Sequence, residues 1–310
     1  MISSIFGKTK PINYIIVLTF LFFLYWFTHL FLFKKTYSSQ ELSITAAVSC
    51  VLLISVFGVN FIVKKNKITE TNSLAMLFYA ALIILFAEVL VDRNAILCSF
   101  FLLLSQRKLI SLKSLKNNKF KIFDATFWIA IASLFYDWAL LYILLVFVAI
   151  YLHESDNIRN WLVPFVAIFT VFVISFCILL LFGKLSFLKE HYVFNNSFNI
   201  EYFSLRENSS RHIIYIIMNV FLSIITFIKF NKSGFGKISS IRLITFSYIL
   251  GIIVTMLKTT NSVFPILITF FPAVVFLTNY IEVIKKPKFK EVLLIIAVLI
   301  PVIVLVNRTF

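Results

Sequence analysis

The feature that most constrains this chain is the recurrence, from end to end, of apolar stretches about as long as a bilayer is thick. Spanning about 30 Å of hydrocarbon takes about 20 helical residues. Runs of suitable character cover residues 11–33, 43–63, 72–91, 95–104, 123–152, 161–183, 213–228, 243–257, 262–281 and 292–306. The chain is 61% hydrophobic and only 14% charged, against about 25% charged for a soluble domain. Folding it in water would expose large apolar patches, so its solvent is lipid. Lipid admits only structures that satisfy their own backbone hydrogen bonds. The sequence therefore predicts an all-α, polytopic transmembrane helix bundle of about eleven membrane helices, including short helical hairpins.

The net charge of +16 does not read as a nucleic-acid surface. The basic residues cluster in short loops between apolar runs, as the positive-inside rule requires. Cys50, Cys98 and Cys177 are far apart inside apolar runs and lack metal-ligand spacing, so small buried apolar residues are expected there. No cofactor motif is present: Walker A, dinucleotide-binding glycines, HExxH and GxSxG patterns are all missing. The first run follows Lys8 and Lys10 without a small-residue cleavage site, and is expected to be a retained anchor.

Loop charge decides the topology. Residues 123–152, interrupted by Asp137, form either one tilted helix or a hairpin. With a hairpin, 20 of the 29 Lys and Arg residues share one side, whereas a single helix leaves 17. It also moves the basic loops 229–242 and 285–290 to the less basic face. The hairpin is preferred. By the same argument residues 72–104 go out and return, turning at Asp92, Arg93 and Asn94, with a return leg of about 15 Å over 95–104. The expected result is a single integral membrane domain over residues 1–310, N-terminus cytoplasmic, in a bacterial inner membrane. An aromatic-rich outer loop at 184–212 is expected to lie in the interface.

Ionisable residues at membrane depth default to functional candidates. Glu88, Asp92 and Asp137 are the acids, suited to general acid or base work. Glu88 and Asp92 are four residues apart and would share a face of one helix, beside Arg93. Arg93, Arg206, Arg211, His191 and Lys258 fall on the same outer side, where cations suit a lipid pyrophosphate. Each has a plainer reading. Asp92 and Asp137 precede apolar helices and suit N-caps, Arg93 can snorkel to phosphates, and His29 suits the interface.

Five stretches carry a resemblance. They are Met1-Ile2-Ser3-Ser4-Ile5-Phe6-Gly7-Lys8-Thr9-Lys10-Pro11-Ile12-Asn13, Arg93-Asn94-Ala95-Ile96-Leu97, Arg107-Lys108-Leu109-Ile110-Ser111-Leu112, Phe123-Asp124-Ala125-Thr126-Phe127-Trp128-Ile129-Ala130 and Asn157-Ile158-Arg159-Asn160-Trp161. With these the chain resembles, over most of its length, an uncharacterised family of flavobacterial inner-membrane proteins, domain of unknown function 6427. That resemblance implies a Bacteroidota source and brings no catalytic residues. A looser likeness is to C-type glycosyltransferases and O-antigen polymerases. Those have an outward-facing site for polyprenyl-phosphate-linked sugars, though here the first outer loop is short, with Glu41 its sole acid. Three expectations follow: an enzyme or accessory protein of envelope glycans, a non-catalytic subunit bound to membrane protein partners, or a transporter or flippase.

Overall fold

The computed structural model describes residues 2–155, 157–194, 206–231, 234–258 and 265–309, with backbone only at 206–209 and 308–309. The described residues form an all-α membrane bundle. After α1 (Ile2–Phe6) come α2 (Pro11–Phe27), α3 (Ser39–Lys65), α4 (Leu74–Leu85), α5 (Arg93–Ile110), α6 (Asn118–Ser133), α7 (Ile143–Glu154) and α8 (Ile158–Leu181). The short α9 (Ser186–His191) leads to α10 (Arg206–Phe230), α11 (Phe235–Leu257), α12 (Phe270–Val283) and α13 (Pro287–Thr309). Nine helical segments among the described residues are long and apolar enough to cross a membrane. The shorter α4 and α6 complete the two hairpins.

Polar contacts at the helix ends establish both hairpins. Asn118 at the start of α6 donates to the Glu154 carboxylate at the end of α7 over 2.5 Å, so α6 and α7 run out and back. Lys113, just after α5, donates over 2.5 Å to the carbonyl of Asn66, which caps the end of α3 and opens the loop into α4, so α4 and α5 do the same. A single helix over 123–152 is ruled out. The lengths of the legs differ from expectation. The return leg α5 continues through Arg107 and Lys108 to Ile110, because long basic side chains at a helix C-terminus reach polar surroundings while their stems stay apolar. The short leg is α4, of 12 residues, or about 18 Å.

One end of the bundle is strongly basic. Lys113 feels the charges of Lys67 and Lys237, and Lys229 pairs with Glu282 at 2.9 Å. Glu282 also accepts from the Glu70 backbone and the Asn72 side chain, each at 2.8 Å. This joins the end of α10, the end of α12 and the loop before α4. Glu291 at the start of α13 accepts from the backbone of Ile2 and Ser3. The basic loops segregated by sequence do share an end.

Burial separates central from peripheral helices. Of the most apolar stretch of each helical segment, 78% is buried in Ile266–Val283 but 11% in Pro287–Asn307 and 17% in Ile158–Leu181. Lipid gives apolar helices little reason to associate, so close approach falls to small residues. Gly251 is the sharpest case: a Cβ there would lie 2.9 Å from both the Thr269 methyl and the Tyr142 hydroxyl. Cys98 is buried, whereas Cys50 and Cys177 are exposed on the bundle's outside, where their helices meet lipid instead of protein.

Two outcomes are expected. In a background without native cysteines, a membrane-impermeant maleimide labels N94C and K116C from opposite sides, both positions being exposed and lying at opposite ends of α5; labelling from one side would contradict the hairpin α4–α5. Gly251→Leu lowers thermal stability in detergent by about 1–3 kcal/mol through overpacking, measured against the wild-type midpoint.

Candidate functional site

At the end opposite the basic loops, the backbone departs repeatedly from the α-helix. Helix α2 passes into a π-turn at Thr28–Leu32. Helix α4 ends at Phe86, with φ −120° and ψ 52°, and a 3-10 turn Ala87–Val91 follows. Another 3-10 turn, Asp137–Tyr142, opens the return leg into α7, and a third, Ile266–Thr269, precedes α12. Turns of this kind inside a membrane must be lined by protein; Glu88 and Asp137 each sit on one, and Asp92 directly follows the first.

Glu88 does not share an α-helical face with Asp92, because Glu88 lies in the 3-10 turn Ala87–Val91 and Asp92 leaves that turn in an extended conformation, at φ −87° and ψ 97°. Its carboxylate instead takes Arg211 of α10, 2.9 Å away, with both side chains about nine-tenths buried. The same guanidinium donates to the Leu85 carbonyl at 3.2 Å and stands 5.2 Å over the Phe86 ring. One cation therefore satisfies the frayed C-terminus of α4 and the acid just beyond it.

Asp92 is the N-cap of α5. Its Oδ1 accepts from the backbone of Asn94 and Ala95 at 3.0 and 3.1 Å, and its Oδ2 takes the Tyr136 hydroxyl. That second bond ties the tips of the two hairpins together. Asp137, the next residue, is 1% exposed at its side chain and pairs with Lys258 at 2.7 Å. It also accepts from the Trp138 backbone at 2.8 Å. Lys258 caps α11, so this pair fastens the second hairpin to that helix. The side chain of Lys258 keeps 21% exposure.

Arg93 turns to the other side, where its charge is felt at Tyr37 and Glu41. Burial raises the Tyr37 hydroxyl above its ordinary pKa and Arg93 opposes the shift. His191 lies at the end of α9, and its Nε2 is 2.7 Å from the Ser133 carbonyl at the end of α6. The neighbouring Tyr192 hydroxyl meets the Ser133 hydroxyl at 2.9 Å, and Phe194 packs edge-on against Trp138. Burial raises the Tyr192 pKa, the Ser133 bond lowers it, and the Asp137 charge raises it. Residues 184–194 of the expected interfacial loop thus dock on the second hairpin. Residues 195–205 lie outside the described residues, as does the Arg206 side chain.

Sequence reasoning missed Tyr136 and Ser133, and it placed His29 at the interface. Tyr136 was masked by its charged neighbour. Ser133 takes part through both its carbonyl and its hydroxyl. His29 is buried, not interfacial, and bonds through Nε2 to the Leu90 carbonyl at 3.0 Å and through Nδ1 to Tyr37. The π-turn that aims His29 has no sequence signature, though such turns recur at functional places. Among the described residues, no group of three His, Cys, Asp or Glu side chains gathers as a metal site would.

A family model described as a family of unknown function (DUF6427) matches residues 7–308. The chain belongs to this family. No curated protein and no solved structure matches it. The family covers nearly the whole bundle, so both hairpins and the Glu88–Arg211 and Asp137–Lys258 pairs fall within its span.

Removing one partner of a buried ion pair strands the other charge and costs about 3–5 kcal/mol. Arg211→Met is expected to lower the melting point in detergent clearly, while Glu88→Gln combined with Arg211→Met recovers most of the loss. Equal melting points for the single variant and wild type would show that the pair does not hold this end.

Proposed function

We propose that the protein is a non-catalytic, multi-pass subunit of a cell-envelope assembly, its whole chain acting as one membrane domain. We infer its orientation from the basic end, which the positive-inside rule puts in the cytoplasm together with the N-terminus. The setting then is a bacterial inner membrane, with the ion-paired end at the outer face. The observation carrying this reading is that each of the three acids is already engaged. Glu88 holds Arg211, Asp137 holds Lys258, and Asp92 caps α5 and receives Tyr136. Groups so paired lock turns that lipid would otherwise not tolerate. They act as fasteners and leave the thinly buried α8 and α13 to meet lipid or partner helices.

A second reading has one observation in its favour. Asp137, Lys258, His191 and Tyr192 gather at the exit of α6, and Lys258 remains partly open. On that reading Asp137 is the acid or base of an envelope-glycan enzyme, with Asp92 and Glu88 in support. Lys258, beside Asp137, would hold the pyrophosphate of a polyprenyl-linked sugar.

The Asp137→Asn, Lys258→Gln double variant separates the two. As a fastener, the pair can be replaced by neutral partners: protein level stays near wild type, surface polysaccharide is unchanged, and a mild-detergent pull-down keeps its stable partner. Loss of a surface polysaccharide at normal protein level would sink the subunit reading and favour the enzyme.

A further inference from the structure

The basic end carries a second built feature, unrelated to the ion-paired turns. Between α3 and α5, with Tyr14 of α2 at its edge, runs an open lateral groove of about 800 Å³. Gly58 keeps its floor low, since a Cβ there would come within 3.1 Å of a Leu103 methyl. Its wall is apolar and outward-facing: Ile54, Phe57 and Phe61 are each about half exposed. From Ile54 to Lys65 the groove follows about 16 Å of helix.

At its basic end the groove opens into a polar pocket of about 400 Å³, and the two share Lys65 and Arg107. These two cations sit over the same ring, Lys65 at 5.2 Å and Arg107 at 4.8 Å from the Phe61 centroid. Neither has a carboxylate partner among the described residues. Lys113 and Lys121, also in the pocket, donate only to carbonyl and hydroxyl oxygens. Of the five cations lining it, Lys108 alone meets an acid, Asp124, at 2.5 Å.

We propose that this groove and pocket form a binding site for an anionic glycerophospholipid, its acyl chain along α3 and its phosphate between Lys65 and Arg107. The polarity of the site supports a lipid over a soluble anion. Its apolar length runs toward the middle of the bundle and its cations lie at the basic end, the arrangement of a phospholipid in the adjoining leaflet. Basic clusters beside membrane helices attract such headgroups by about 1 kcal/mol per side chain. Two cations then give roughly a thirtyfold preference for an anionic over a zwitterionic lipid.

The test uses the full chain in nanodiscs or mild detergent, with phosphatidylglycerol and phosphatidylcholine as probes and retention read by native mass spectrometry. Wild type is expected to retain phosphatidylglycerol roughly thirtyfold better, and the K65Q/R107Q variant to lose that preference. Ile54→Trp, which fills the apolar groove, should weaken both lipids alike. If the double variant does not accumulate, R107Q alone carries the same test with a smaller expected loss. Equal retention of the two lipids by wild type, an unchanged preference in the charge variant, or displacement by millimolar inorganic phosphate would each overturn the lipid site.

Discussion

Lipid supplies no hydrogen bonds, and the arrangement of this molecule follows from that. Among the described residues, nine helical segments meet the requirement by satisfying most of their own backbone. Where the helix breaks, some other group must serve the freed carbonyls and amides. Arg211 does so at the end of α4, Asp92 at the start of α5, and His29 at the 3-10 turn between them. These polar side chains tolerate their surroundings only because each meets a partner of opposite charge or matching hydrogen-bond character. The turns and their fasteners therefore depend on one another.

The two ends use charge differently. At the basic end cations exceed acids, so Lys65, Arg107, Lys113 and Lys121 face one another with little neutralisation. Such an excess is stable where water and headgroups are near. At the opposite end Glu88 and Asp137 are each matched to one cation in nearly dry surroundings. An excess there would strand a charge. The contrast supports the orientation proposed for the bundle.

The family assignment fits this picture without naming a chemistry. The chain belongs to a family of unknown function that spans nearly all of it, so its role has to be argued from the site. Three acids engaged by cations, caps and a tyrosine favour a structural part in a larger membrane assembly. His191, Tyr192 and Lys258 gather around Asp137, the one acid of the three whose cation stays partly open.

The sequence alone determined the all-α membrane class, the two hairpins and the segregation of the basic loops. These follow from run length and charge sign, which are local and additive properties. Asp92 as an N-cap was legible too, since an acid before an apolar helix is a local signal. Only the tertiary structure decided the partners: Glu88 with Arg211, 123 residues later, Asp137 with Lys258, and Asp92 with Tyr136. Helical spacing had put Glu88 and Asp92 on one face, and the 3-10 turn Ala87–Val91 with its extended exit at Asp92 undid that. A break of this kind is not encoded by propensity at a single position. It forms because Arg211, arriving from a distant helix, satisfies what the break leaves open.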